Sequence, residues 1–317
     1  MGVYAEAVDA PSGGSKANRK LGAKRELTRW ARAQRRTDQT MRYLFIFSAI
    51  FVSVVILSII VFLGIQGTKT FAGTSIADFF TRSKWEPDKG SFGALSFIAG
   101  TFELTGIAIV LATPLALAGA MFMAKVAPRW MREILRPAAD LFVGIPSIVY
   151  GFIAMTTIAP WLSQHYGGTG YGLLCAGLVL AVMILPTILS VAEDAFRSLP
   201  QALEEASYAL GATRWQTLRR VLFPAALPGI MTAVVLGMGR ALGETMAITL
   251  VIGNSPQLVR SLVKPAATLT TEIATEMGNT IYGTTWNDAL FLMALVLLII
   301  SMFLILLIRL FSRRRVV

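Results

Sequence analysis

Arg240 and Glu244 stand four residues apart in the otherwise uncharged stretch from Pro228 to Ile252. A charge held in hydrocarbon costs at least about 2.5 to 3.5 kcal/mol, so each of these side chains calls for a partner or a task. On a continuous helix the two fall one turn apart on one face, and Gly239 with Gly243 forms a small-x-x-x-small patch suited to close helix approach. Counting about 12 residues at 1.5 Å each places Arg240 roughly 18 Å into the stretch, near the middle of a bilayer. Two chemistries fit. One is an ion pair internal to a helix bundle. The other is a guanidinium whose planar fork of donors meets an oxyanion in passing, with Glu244 as its counter-ion while the path is empty.

A second constellation is polar and lies between apolar runs. Ser198-Leu-Pro-Gln-Ala-Leu-Glu-Glu-Ala-Ser-Tyr-Ala-Leu-Gly211 reads as a short helix. Ser198 and Gln201 fit a capping box, Pro200 suits the first turn, and Gly211 suits a left-handed terminator. A second helix follows, opened by a further capping box at Thr213 and Gln216. Leu199, Leu203, Ala206 and Leu210 fall in one stripe at helical spacing, followed by Trp215, Leu218 and Leu222. Such a pair makes a rigid handle at a bilayer surface, with Glu204, Glu205 and Tyr208 available beside the stripe, or a surface cover for the bundle.

Other chemistries are missing. The chain has no glycine-rich loop ending in Gly-Lys-Ser/Thr, no His-Glu-x-x-His, no Gly-x-Ser-x-Gly and no metal-spaced carboxylate cluster. One His and one Cys rule out His/Cys zinc chemistry and a disulfide framework. His165 reads as a solvated or capping residue, Cys175 as a packing residue, and Glu103 as an interfacial carboxylate. Pro114, Pro146 and Pro186 read as helix bends.

The elements that position these residues follow from composition. The 317 residues are 55% hydrophobic and 15% charged, against about 25% charged for soluble domains. Residues 43–68 and 104–124 are uncharged, and 141–192 is uncharged but too long for one helix, so it divides at the polar, Gly-rich 161–170. With 228–252 and 289–308 this predicts six membrane helices in an all-α integral membrane protein. The first is a retained anchor, because a charged leader of 42 residues precedes it. The basic residues set the orientation. Lys and Arg number ten in 1–42 and four each in 125–140, 193–220 and the tail from Arg309. On the other side they number four in 69–89, none in 161–170 and two in 253–288, giving 22 against 6 and placing both termini in the cytoplasm. The net charge of +11 is thus topological, with no nucleic-acid partner implied, and Arg313, Arg314 and Arg315 with the basic N-tail favour lipid headgroups. The expected organisation is a partly disordered cytoplasmic tail 1–42, a first span 43–68 and an extracytoplasmic loop 69–92. A transmembrane domain 93–311 carries the cytoplasmic loop 193–227, and a basic tail 312–317 ends the chain.

Glu205-Ala-Ser, Gly211 six residues on, and Val221-Leu-Phe-Pro224 resemble the cytoplasmic loop of ABC importer permeases, with Ser207, Val221 and Phe223 as mild departures. Gly144-Ile-Pro-Ser-Ile-Val-Tyr-Gly151 and Gly239-Arg-Ala-Leu-Gly-Glu-Thr-Met-Ala-Ile-Thr-Leu-Val-Ile-Gly-Asn254 resemble the phosphate-specific (Pst) transporter permeases, the second favouring the C-type over the A-type subunit. The likeness covers most of 43–310. It implies a type I ABC importer in the bacterial cytoplasmic membrane, non-catalytic in this chain, with a sister A-type permease, two copies of an ATPase that handles ATP and magnesium, and an extracytoplasmic phosphate-binding protein. No cofactor is implied for the chain itself. Glu205, Ala206 and Gly211 would then belong to a coupling helix gripped by the ATPase, and Gly144 and Pro146 to packing or a pivot, packing being preferred. A permease for molybdate or sulfate is the rival within the class, and an ATP-independent secondary transporter or channel the rival outside it.

Overall fold

The computed structural model describes the backbone of residues 13–258 and 261–313, and side chains from 39 to 306 except 259 and 260, together with 310. The side chains of the first 38 residues and the tail arginines lie outside that set, so the headgroup attraction expected of them stays an expectation. In chain order the helices begin with α1 (Gly13–Thr68), a 56-residue helix. It takes in the basic segment from Gly13. Then come α2 (Ile76–Thr81), a two-residue hairpin of β1 (Trp85–Glu86) and β2 (Ser91–Phe92), and α3 (Leu95–Met121). The hairpin pairs antiparallel, Trp85 opposite Phe92, the one departure from an all-α fold among the described residues.

A π turn at Phe122–Val126 leads to α4 (Arg129–Gly144), α5 (Ser147–Thr156), α6 (Ile158–Tyr166) and α7 (Leu173–Arg197). The short α8 (Gln201–Ala209) and α9 (Arg214–Thr217) follow, and a second π turn at Leu218–Leu222 runs into α10 (Phe223–Gly243). The chain closes with α11 (Met246–Val251), α12 (Leu269–Glu276) and α13 (Thr285–Arg313).

Among the described residues, five helical segments are long and apolar enough to cross a membrane: 39–72, 95–126, 173–197, 214–243 and 285–306. A sixth crossing exists if α4 with α5 and α6 is taken as one span, but that pair is bent by 90°. The third span expected from 141 onward is therefore found only as this bent pair. Gly144 and Pro146 sit at the bend, and a Cβ added at Gly144 would meet nothing within 4 Å among the described residues. The turn between the third and fourth spans also lies later than expected, because α6 carries the helix through His165 to Tyr166. Gly167, Gly168 and Gly170 make the turn with positive φ.

The chain divides into two compact units, Met1–Val61 and Phe62–Val317. In the second, α3 and α10 both pack on α7. Ala108, Ala112, Ala116 and Ala120 recur every four residues on α3 and are wholly buried, with Leu180, Ile184, Ile188 and Ala192 of α7 buried in the same cluster. Without lipid-excluding burial as a driving force, this small-residue stripe gains its stability from close van der Waals approach. The same logic fixes Gly237 on α10, where an added Cβ would come within 2.5 Å of Ile188 Cγ1. Gly239 and Gly243, the expected packing pair, have no atom within 4 Å of such a Cβ. A second cluster joins Phe79, Trp85, Phe92 and Phe97 to Leu269, Leu290 and Met293, tying α2, the hairpin, α12 and α13 to the start of α3.

Candidate functional site

α8 forms the expected handle with different fastenings. Pro200 is its N-cap and no side chain caps it, while the Ser198 hydroxyl donates to the Ala195 carbonyl at 2.9 Å, so the Ser198–Gln201 capping box is not made. The box at Thr213 and Gln216 is made in both directions, at 3.4 and 2.9 Å. Between them Gly211 takes φ 79°, a left-handed conformation that costs other residues roughly 1 kcal/mol.

Two side-chain contacts hold α8. The Ser207 and Thr217 hydroxyls are buried together at 2.9 Å, which gives the serine departure from the family pattern a physical role. Glu204 forms an ion pair with Lys125 in the π turn after α3, their side chains only 22% and 16% exposed. Glu204 is thus engaged, not available to a partner. Glu205, Ala206 and Tyr208 are exposed, and so is the apolar side formed by Leu203, Leu210 and Trp215, with Leu210 at 89%.

The second site differs more from expectation. α10 ends at Gly243, and Glu244 has ψ 127°, outside the helical range, so Arg240 and Glu244 do not share one helical face. They form no ion pair. Arg240 occupies the last turn of α10, where unpaired carbonyls and the helix dipole favour a cation. Its Nη1 donates to the Thr187 hydroxyl of α7 at 3.3 Å. Glu244 serves the next helix, its Oε1 accepting from the Ala247 N–H at 3.4 Å, where a carboxylate complements the positive end of α11. Each charge is thereby matched to its own helix terminus.

Residues absent from the sequence reading complete this cluster. The Thr270 hydroxyl of α12 donates to the Glu244 carbonyl at 3.4 Å, and on α5 the Tyr150 hydroxyl donates to the Phe142 carbonyl at 2.8 Å. Arg240 is thus a half-buried guanidinium with one neutral hydroxyl partner among the described residues. The remaining N–H groups of such a fork suit the oxygens of a small oxyanion. Tyr150 lay inside the Gly144–Gly151 segment, whereas Thr187 and Thr270 gave no pattern by which to choose them. Glu103 is exposed near the start of α3, and His165 Nδ1 lies 2.8 Å from the Trp161 carbonyl, as a capping residue would. Cys175 is buried.

Beside this cluster, α12 carries Glu272, 6% exposed. Burial, reinforced by Glu276, pushes its pKa up to about 7 from 4.5. Between those values the folded chain keeps a proton that the unfolded chain releases, so the stabilisation is complete below about pH 4.5 and is lost as pH rises through 7. The assembled protein is therefore expected to melt at a higher temperature at pH 5 than at pH 8. Glu272→Gln should raise the pH 8 value and flatten the difference, as read by scanning fluorimetry. An unchanged pH dependence in that variant would show that Glu272 is not the titrating group.

Residues 116–317 match the family described as binding-protein-dependent transport system inner membrane component. A probable ABC transporter permease protein, YqgH of Bacillus subtilis, is 50% identical over 263 residues, covering 81% of this chain and 85% of that protein. The phosphate transport system permease protein PstC of Mesorhizobium japonicum is 37% identical over 269 residues, covering 77% and 82%. In fold, the chain is similar to a solved bacterial ABC transporter involved in import of the acidic polysaccharide alginate, with TM-score 0.60 at 16% identity, covering 88% of this chain and 99% of that one. A second crystal structure, of a bacterial alginate ABC transporter with its pentasaccharide-bound periplasmic protein, gives 0.58 at 18% identity, covering 86% and 93%. The exposed handle after α7 and the broken helix after Gly243 are thus parts of a chain that belongs to the inner membrane components of binding-protein-dependent transport systems.

Proposed function

We propose that the chain is the C-type permease subunit of an ATP-driven importer of inorganic phosphate. It has six spans, counting the bent α4–α6 as one, with both termini in the cytoplasm as the 22-to-6 distribution of Lys and Arg favours. It lines the pathway with a sister A-type permease by alternating access. Two ATPase copies supply ATP and magnesium chemistry, an extracytoplasmic binding protein delivers phosphate, and the chain itself carries no cofactor. The observation that carries the permease reading is the uncovered apolar face of α8, locked to the bundle by Lys125–Glu204 and Ser207–Thr217. A handle of this kind moves with the helices it is pinned to, as an ATPase-driven gate requires. Phosphate is favoured by the likeness to PstC and by the lone fork of Arg240.

Reconstitution in liposomes tests this. The four-component complex is expected to accumulate labelled phosphate only with ATP on the cytoplasmic side and binding protein on the other, and sulfate or molybdate should not compete. The permease alone should neither hydrolyse ATP nor accumulate phosphate. Uptake of sulfate or molybdate in preference to phosphate would assign the rival anion permease, and ATP-independent uptake by the single chain a secondary transporter.

A further inference from the structure

α4 has two unlike flanks and no fully buried residue. Arg129, Arg132, Glu133, Arg136 and Asp140 fall along one side at helical spacing, while Trp130, Ile134 and Leu141 are exposed on another. Against α3 and α7 it leaves a cavity of about 400 Å³ walled by apolar side chains, among them Phe122, Met123, Leu135, Phe142, Leu185 and Leu189. On the charged flank is a second cavity, of about 470 Å³, bounded by the three α4 arginines, Glu133, Asp140 and Arg197 of α7.

The charges in the second cavity are unevenly matched. Arg136 Nη2 lies 3.2 Å from Asp194, and Arg197 Nη2 lies 2.5 Å from Glu193. Among the described residues Arg129 and Arg132 have no ion pair, nor have Glu133 and Asp140. Arg132 Nε is buried without a hydrogen-bond partner. A buried guanidinium N–H in that condition costs free energy that an oxyanion acceptor would return.

We propose that this part of the chain binds one phosphatidylethanolamine-type lipid, its phosphate on Arg129 and Arg132, its ammonium against Glu133 and Asp140, and an acyl chain in the apolar cavity. The equal number of free cations and free carboxylates selects a zwitterionic headgroup over a singly anionic one. The apolar cavity on another flank of the same helix selects a lipid over free phosphate, because an inorganic anion gains nothing from its eleven lining residues. On the orientation proposed above, the lipid belongs to the cytoplasmic leaflet. It would fill the wedge beside the 90° bend without a protein partner.

The intact complex, equilibrated in vesicles of phosphatidylethanolamine and phosphatidylglycerol, extracted and washed with detergent, is analysed for retained lipid by mass spectrometry. One phosphatidylethanolamine per chain should persist, ahead of phosphatidylglycerol. Arg132→Gln should lower retention roughly fivefold, and Ala139→Phe, which fills the apolar cavity without changing charge, should lower it comparably. Both variants are compared at equal assembly by size-exclusion chromatography; if either fails to assemble, the wild-type lipid competition decides. Retention of phosphatidylglycerol equal to phosphatidylethanolamine, retention indifferent to both substitutions, or displacement of the lipid by excess inorganic phosphate would each overturn the proposal.

Discussion

Arg240→Leu is expected to lower phosphate uptake by the assembled complex roughly tenfold to a hundredfold, and adding Glu244→Leu is not expected to restore it. Were the two residues an ion pair, removing one would strand the other, and removing both would recover much of the function. In the structure they are not paired, and Arg240 leans on the Thr187 hydroxyl while Glu244 caps α11. One neutral hydrogen bond returns only about 1 kcal/mol of the 2.5 to 3.5 kcal/mol that an intramembrane charge costs, and the end of α10 returns up to about 1 more. The unreturned part is what a passing oxyanion would supply. The magnitude follows from a charged hydrogen bond, about 1.5 to 3 kcal/mol. Arg240→Lys keeps the charge and loses the fork, so its uptake should fall between wild type and Leu. Glu244→Gln keeps an acceptor for the Ala247 N–H and should transport nearly normally. Near-normal uptake by Arg240→Leu, normalised to assembled complex, would remove Arg240 from the pathway.

The contrast between Arg240 and Glu204 shows what a sequence can disclose. Charge-free runs located the spans, because hydrocarbon admits few charges, and Gly211 and the Thr213–Gln216 box were legible because caps act over three residues. The break at Glu244 was not. Gly243-Glu-Thr contains no proline, and the helix stops where α11 turns to pack on α5, with Gly151 so close to Ala247 that a Cβ would meet its carbonyl at 2.7 Å. That is a tertiary decision made 93 positions away. The bend at Gly144–Pro146 was legible as a proline bend in a recognised segment, yet composition gives no angle, and nothing in it foretold 90°. Glu204 looked free because its partner Lys125 is 79 residues distant. Local chemistry was legible, and the pairings that decide each charge's role were not.

That Lys125–Glu204 pairing yields the other large effect. α8 touches the bundle through few side chains, so a push on its exposed face reaches α3 through this ion pair and reaches α10 through Ser207 and Thr217. Glu204→Gln leaves a mostly buried ammonium without a counter-charge, a loss of roughly 1 to 3 kcal/mol, too small to dismantle the bundle but enough to let α8 shift. ATPase stimulation by loaded binding protein and phosphate uptake should both fall by roughly five- to a hundredfold, the range of ordinary coupling energies, while the subunits still co-purify. Gly211→Asp should behave differently. It strains the left-handed turn and puts a charge beside the docking face, so ATPase association itself should weaken. Exchange of the charges, Lys125→Glu with Glu204→Lys, separates a strut from a surface requirement. If the pair transmits force, the exchange restores coupling well above either single variant. If Glu204 is needed for contact with the ATPase, the exchange stays as uncoupled as the worse single change, and the strut is refuted.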